Sequence, residues 1–387
     1  MKFLTDDERK ELIDWRRDFH AHPEIGYQEF RTAEIVSEHL LRCGYEVRTG
    51  VAETGVVGLL RCRTGEKTIM LRADMDCLPV QEDNDVGYCS QAAGRMHACG
   101  HDGHTAVLMA TAKKLAQQRE RYAGAIKLVF QPAEEGGNGA EKMVEEGILQ
   151  NPRVDAAFGL HVWTSLPVGQ VALNPGPLMA GVDSFEVTIV GIGGHGAAPH
   201  QTVDPIVTAA QVITALQSVV SRNVDPLATA VVTVGSIHAG NAFNVIAETA
   251  VFQGTVRYFD PELGGRLPVW MERVVSGICD SMGARYEWKY EKLTPPTIND
   301  ATMAEFIRDI STEIVGKENV LMDAQTMGGE DMSFFLRKVP GCYFFIGAAN
   351  SSKGLVNPHH SPKFDFDENA LELGVEVFCR AVEKFLK

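Results

Sequence analysis

Ten residues, MHACGHDGHT from Met96 to Thr105, hold three histidines, a cysteine and an aspartate. Few packing arguments need so many metal-capable side chains so close together. Three chemistries compete: a structural metal knuckle, a nucleophilic or redox cysteine, and part of a catalytic metal site. In an extended segment residues i and i+2 face the same side, so Cys99 and His101 can both reach one metal. Asp102 suits the start of the following helix, either as its N-cap or as a residue that orients a ligand. His97 reads as a structural or ligand-supporting histidine, and His104 as a packed or solvated one on the helix's first turn.

Other candidates are scattered along the chain. Glu134 and Glu135 sit side by side in PAEEGGNG. Adjacent carboxylates repel unless a cation lies near; with one, the first can take a proton from water while the second ligates. The alternative is an exposed acidic loop. Asp74 and Asp76 end the apolar run KTIMLRAD, and His161 ends VDAAFGLHV. His360, in NPHHSPKF, sits on a proline-flanked loop that can fold back over a crevice. None of the eight cysteines forms CxxC, so neither a zinc ribbon nor a thioredoxin-like pair is indicated. Seven of them read as small buried hydrophobes, Cys99 being the exception. GIGGHG (191–196) matches the dinucleotide fingerprint, but Ala-Pro follows at once and no acidic residue lies about 20 positions on.

The elements that must position these residues alternate. Residues 1–42 look helical, with a break at HAHPEIGY. Strand patterns at 67–74, 125–132 and 154–162 are separated by helical spacing over 105–118 and 140–149. This order predicts an α/β fold, a mostly parallel sheet sandwiched by helices, whose strand carboxyl ends form the binding crevice. Two proline-rich joints, LNPGPLMAG and KLTPPTIND, bracket a β-α-β-β-α-β pattern, the ferredoxin-like split. The expectation is a catalytic domain in two parts, 1–178 and 296–387, with a small α+β domain, 179–295, inserted between them.

Composition narrows the function further. With 51 acidic against 36 basic residues, the formal charge of −15 argues against nucleic acid and anionic membrane as partners. It favours a small-molecule substrate. No apolar run approaches the roughly 18 residues of a spanning helix, and the acidic amphipathic start lacks a signal peptide's apolar stretch. Cytoplasm is the expected compartment.

In order along the chain stand FHAHPEIGYQEFRTAEIV, LRADMDCLPV, MHACGHDGHT, QPAEEGGNGA, GLHVW, GGHGAAPH, NVIAETAVFQGTVR, GGEDMSFF and HHSPKFDFDE. Together they resemble the aminoacylase/carboxypeptidase family of dinuclear metallohydrolases, in the branch of hippurate and indoleacetyl-amino-acid hydrolases. The resemblance implies two divalent metal ions (zinc, manganese, cobalt or nickel) held by Cys99, His101, Glu135, His161 and His360, with Cys99 bridging as thiolate. It implies that Glu134 is the general base and that the inserted domain serves as a dimerisation and lid domain in a homodimer. His195 would reach the partner subunit's site and polarise the scissile carbonyl, and Asn244 and Arg257 would hold the substrate carboxylate. The wider family carries a ligand histidine where this chain has Ala73, so the division of ligands between the two metals stays open. The activity implied is hydrolysis of N-acyl amino acids. A dipeptidase or carboxypeptidase is the nearer alternative, and a cysteine-nucleophile hydrolase or a non-catalytic binding protein the more distant ones.

Overall fold

The structure is a computed structural model and describes residues 3–387. The chain divides into two units, each described by itself. The first comprises the residues up to Leu178, Ile298–Gln325 and Asp331–Lys387. The second comprises Met179–Thr297 and Thr326–Glu330.

The first unit is built on an eight-stranded mixed sheet. Its centre is four parallel strands, in spatial order Ala123–Gln131, Arg63–Asp74, Ala156–Pro167 and Gly341–Ala349. An antiparallel hairpin, Glu46–Val51 with Gly55–Arg61, extends one side, where the sequence pattern had specified no strands. Two short strands, Val171–Ala172 and Val320–Leu321, extend the other. Strand residues alternate between the two faces, and the alternation sorts them by chemistry. Ile69, Leu71, Ala73, Ile126, Leu128, Phe130, Phe158, Leu160, Val162, Phe344 and Ile346 point into one apolar core. That core packs on the helices Asp6–Ala21, Phe30–Arg42, His101–Gln117, Ala301–Val315 and Asn369–Phe385. Each fully buried Leu or Phe there contributes about 1.5–3 kcal/mol. The intervening positions carry the buried polar residues Arg72, Lys127, Gln131 and His161. His161 lies in mid-strand rather than at a strand end, because pairing with Gly341–Ala349 carries its strand on to Pro167.

The second unit has a four-stranded antiparallel sheet in the order Ala230–Ala239, Thr249–Tyr258, Gly181–Val190, Arg285–Thr294. Numbered along the chain this is 2-3-1-4, the ferredoxin-like arrangement expected from the β-α-β-β-α-β pattern. Its two helices, Pro205–Asn223 and Pro261–Met282, start the same way. An aspartate N-cap (Asp204, Asp260) accepts backbone N–H bonds, and a proline fills the first helical position. The glycine-rich 191–196 segment forms no phosphate-cradling turn into a helix. Gly194–His195 instead pairs as a short strand with Val245–Ile246. Among the described residues no helix is long and apolar enough to cross a membrane.

Candidate metal centre

Two of the parallel strands end at Asp74 and Gln131, and the segments that leave those ends carry Cys99, His101, Glu134 and Glu135. Cys99, His101 and His161 offer donor atoms within 4.8 Å of one another, as do Cys99, Glu135 and His360, and His101, Glu134 and Glu135. Cys99 Sγ lies 3.4 Å from His161 Nε2. His360 Nε2 lies 3.3 Å from Glu135 Oε1. The loop bearing His360 does fold back, pinned by its own N–H to the Ala98 carbonyl at 2.8 Å. Cys99 and His101 converge for a reason other than extended alternation. Gly100 between them adopts φ +93°, and His101 already begins the helix His101–Gln117. A Cβ on Gly100 would sit 2.3 Å from Val162 Cγ2, so only glycine permits this turn.

Hydrogen bonds assign the histidine tautomers. A carbonyl oxygen only accepts, so His101 Nδ1–H donates to the Asp76 carbonyl at 2.9 Å, and His161 Nδ1–H to the Val162 carbonyl at 2.6 Å. Each ring therefore turns its Nε2, not its Nδ1, toward the candidate ligands, the atom through which it would bind a metal once that nitrogen is free of its proton. His104 differs. Its Nε2 accepts the Val162 N–H at 2.9 Å and its Nδ1–H donates to Asp74 at 2.7 Å. Both nitrogens are used, so His104 is a structural tie, although it lies among metal-capable neighbours. His97 is buried without a hydrogen-bond partner for either ring nitrogen, and burial pushes its pKa down to about 4.

Of the two roles the sequence allows Asp102, the structure removes the cap. Gly100, not Asp102, is the N-cap, and Asp102 makes no capping bond. Its Oδ2 instead accepts from Arg16 Nε at 2.9 Å and from His20 Nδ1 at 2.8 Å. Arg16 is fully buried, bonds Asp365 at 2.6 Å and lies over the Tyr88 and Phe366 rings. This charged cluster braces the turn that presents Cys99 and His101.

The residues fit a cation. His101 Nε2 is buried and makes no hydrogen bond, and buried Glu135 Oε1 has only the 3.3 Å approach of His360 Nε2; an orphaned buried nitrogen is costly unless another group occupies it. The electrostatics agree. Burial alone would lower the His101 pKa, yet Asp74, Asp76 and Glu135 outweigh it and hold it near 10. Burial, then the Glu135, Glu134 and Asp74 carboxylates, push the Cys99 thiol well above its usual range. A nucleophilic cysteine needs the opposite, an electropositive surrounding that favours thiolate. The donors as a set, imidazole, thiolate and carboxylate, are those of a transition-metal site.

The sequence pattern left the role of Asp76 undefined. Its Oδ2 accepts the Glu135 N–H at 2.9 Å, while its Oδ1 lies 3.3 Å from His101 Nδ1. One carboxylate thus orients two candidate ligands 34 positions apart. The signal available was only its place, two residues past a strand end. Asp74 is engaged elsewhere, by Arg72 at 2.7 Å and His104.

His195, Asn244 and Arg257 belong to the second unit. His195 is exposed, with the Ala197 N–H donating to its Nδ1 at 3.0 Å. Asn244 is exposed opposite it, its carbonyl accepting the Gly196 N–H at 2.8 Å. Arg257 lies half-buried on Thr249–Tyr258, in register with Val182 and in the field of Asp183.

The chain is similar to known proteins along nearly its whole length. The model of peptidase family M20/M25/M40 matches residues 70–384. Thermostable carboxypeptidase 2 of Saccharolobus solfataricus is 41% identical over 384 residues, covering 97% of this chain and 96% of its own. IAA-amino acid hydrolase ILR1-like 4 of Arabidopsis thaliana is 40% identical over 395 residues, covering 100% and 89%. Among solved structures, Bacillus subtilis YXEP, a dinuclear metal-binding peptidase of the M20 family, is 34% identical. It superposes with a TM-score of 0.86 over 99% of both chains.

Proposed function

Because the chain belongs to peptidase family M20/M25/M40, a family of metal-dependent hydrolases, we propose that it cleaves the amide bond of N-acyl amino acids to a carboxylic acid and a free amino acid. The observation that supports this reading is the overlap of three donor groups, Cys99, His101 and His161; Cys99, Glu135 and His360; and His101, Glu134 and Glu135. Cys99, His101, Glu135, His161 and His360 would hold two divalent cations. Bound there, the cations supply Lewis-acid charge at the scissile carbonyl and acidify a water molecule. Thiolate and imidazole donors suit zinc, and the same set admits manganese, cobalt or nickel.

Glu134 takes the water's proton on its carboxylate and returns it to the leaving amine nitrogen. In its neighbour Glu135 the backbone N–H donates to Asp76 and the carboxylate lies 3.3 Å from His360, another candidate ligand, which supports different roles for the two adjacent carboxylates. The second unit is assigned the substrate. His195 donates to the carbonyl oxygen as it gains negative charge, serving the partner subunit's site in a homodimer. Asn244 and Arg257 hold the α-carboxylate, Arg257 through its bidentate fork. On this reading residues 179–295 form a dimerisation and lid domain inserted into a catalytic domain of 1–178 and 296–387. Eight free cysteines support a cytoplasmic location.

A carboxypeptidase is the second reading, favoured by the 41% identity to one. N-acetyl, N-benzoyl and indoleacetyl amino acids, dipeptides and blocked peptides, assayed after chelation and with each metal added back, separate the two. The proposal expects chelator-sensitive release of free amino acid from N-acyl substrates. It expects Glu134→Gln to keep its metal and lose turnover. An active Glu134→Gln enzyme removes the base assigned here, and preferential cleavage of blocked peptides favours the carboxypeptidase.

A further inference from the structure

The loop that carries Glu134 and Glu135 is held in an unfavourable backbone path. Ala133 (φ +51°), Gly136 (φ +87°) and Asn138 (φ +51°) are all left-handed, and two of the three are not glycine. Such a path persists only where its surroundings over-determine it. Within the loop Gly136 N–H bonds the Glu134 carbonyl and Gly139 N–H the Ala133 carbonyl. Other ties come from elsewhere, among them the Asp331 N–H, which reaches Glu134 Oε1 at 3.4 Å. Asp76 supplies one in the middle, at Glu135 N–H. The two at the ends come from a single distant stretch, Gly26 to Glu29.

Glu29 supplies the first. It is fully buried, its Oε1 accepts the Ala133 N–H at 2.8 Å, and its Oε2 accepts the Thr54 hydroxyl at 2.5 Å. Glu29 also stands at the N-cap of the helix Phe30–Arg42, yet makes no capping bond to it. Glu24 reaches forward and does that work, accepting the Arg31 and Thr32 N–H groups at 3.0 and 2.8 Å. Glu29 is thereby released to face the loop. Tyr27, itself at φ +62°, supplies the second tie, its hydroxyl donating to the Gly137 carbonyl at 2.5 Å. Between them Gly26 lies so close that a Cβ would meet the Ala133 Cβ at 2.9 Å. The stretch is fixed in turn to the strand end that bears Asp76, through Cys77 N–H to the Glu24 carbonyl at 2.8 Å.

We propose that Gly26–Glu29 is a clamp that sets the position of Glu134, with Glu29 and Tyr27 as positioning residues for the reaction. Glu29 and Tyr27 reach the loop through its backbone, at the Ala133 N–H and the Gly137 carbonyl. It fixes the backbone on either side of the base, so the Glu134 carboxylate meets its proton at one geometry. The proposal rests on Glu134 being the base.

The experiment compares Glu29→Ala, Glu29→Gln and Tyr27→Phe in the metal-loaded enzyme by kcat, KM, metal content and amide hydrogen exchange over residues 131–139. Misplacing a catalytic group by a fraction of an ångström to one ångström costs about 10- to 100-fold. Glu29→Ala is therefore expected to lose about that factor in kcat, with KM within about threefold and metal content unchanged. Glu29→Gln keeps an oxygen to accept the Ala133 N–H and is expected to restore most of kcat. Exchange over 131–139 should quicken in Glu29→Ala and not in Glu29→Gln. Wild-type kcat in Glu29→Ala, equal kcat loss in the Ala and Gln variants, or a kcat loss with unchanged exchange would each overturn the clamp. Should Glu29→Ala fail to fold, Tyr27→Phe decides: lower kcat with faster exchange supports the clamp, and wild-type values of both overturn it. Glu134→Gln run alongside separates the two ideas, since its activity tests the base alone while the exchange readout tests the clamp.

Discussion

Replacing Asp76 by alanine isolates the one carboxylate that orients two candidate ligands. The Glu135 N–H loses its carboxylate acceptor at 2.9 Å, and the weaker 3.3 Å contact to His101 Nδ1 disappears. His101 keeps its bond to the Asp76 backbone carbonyl at 2.9 Å, so its tautomer survives the change. One partly buried N–H stripped of its partner costs about 1–3 kcal/mol. Partners that orient ligands are worth about 10- to 100-fold in metal affinity, which is about 1.4–2.7 kcal/mol, so the two magnitudes agree. A third effect opposes them. Asp76 helps to raise the proton affinity of His101, and removing it eases the proton loss that ligation requires. The net expectation is a loss near the lower end, about tenfold, with Asp76→Asn closer to wild type because its side-chain oxygen still accepts the Glu135 N–H. A competition titration of metal-free protein against a chelating dye, with metal content by mass spectrometry, measures it. Wild-type affinity and stoichiometry in Asp76→Ala would refute the idea that this carboxylate organises the site.

Three further outcomes follow from neighbouring residues. Arg16→Met leaves Asp102 and Asp365 buried without their cation, and breaking such a pair costs about 3–5 kcal/mol; urea unfolding should show a loss of that size, and a loss below about 1 kcal/mol would contradict it. Glu29 carries a pKa raised by burial from 4.5 to about 7, so folding favours its protonated form. That stability is complete below about pH 4.5 and is lost as pH rises through 7, at most about 3 kcal/mol. Glu29→Gln lacks this loss, and its stability relative to wild type should improve between pH 5 and 8. A pH-independent difference would show that Glu29 titrates normally. His104→Phe should lower thermal stability and keep full metal content, because both His104 nitrogens are already engaged; loss of one metal per chain would make it a ligand.

How much of this site the sequence discloses depends on how far each partner lies along the chain. The convergence of loops at the ends of parallel strands follows from topology alone, and topology follows from the period of apolar residues in runs such as 67–74 and 125–132. Local sequence therefore suffices to bring Cys99, His101, Glu134 and Glu135 to one end of a sheet. It does not suffice for Asp102. An aspartate before an apolar helix is a good N-cap by local statistics, and nothing within several residues reveals the buried Arg16, 86 positions earlier, that claims its carboxylate. Glu29 is the same lesson in reverse. It stands at a helix start, and only the structure shows Glu24 taking over the cap and Ala133, 104 positions on, taking the carboxylate. The residues meant for metal or substrate announce themselves by type, because few side chains can do that chemistry. Those that hold them in place are ordinary acids and arginines, and their meaning lies in partners that only the fold supplies. Perturbing Asp76, Arg16 and Glu29 therefore tests what motif reading leaves out, whereas perturbing Cys99 or Glu134 tests what it already contains.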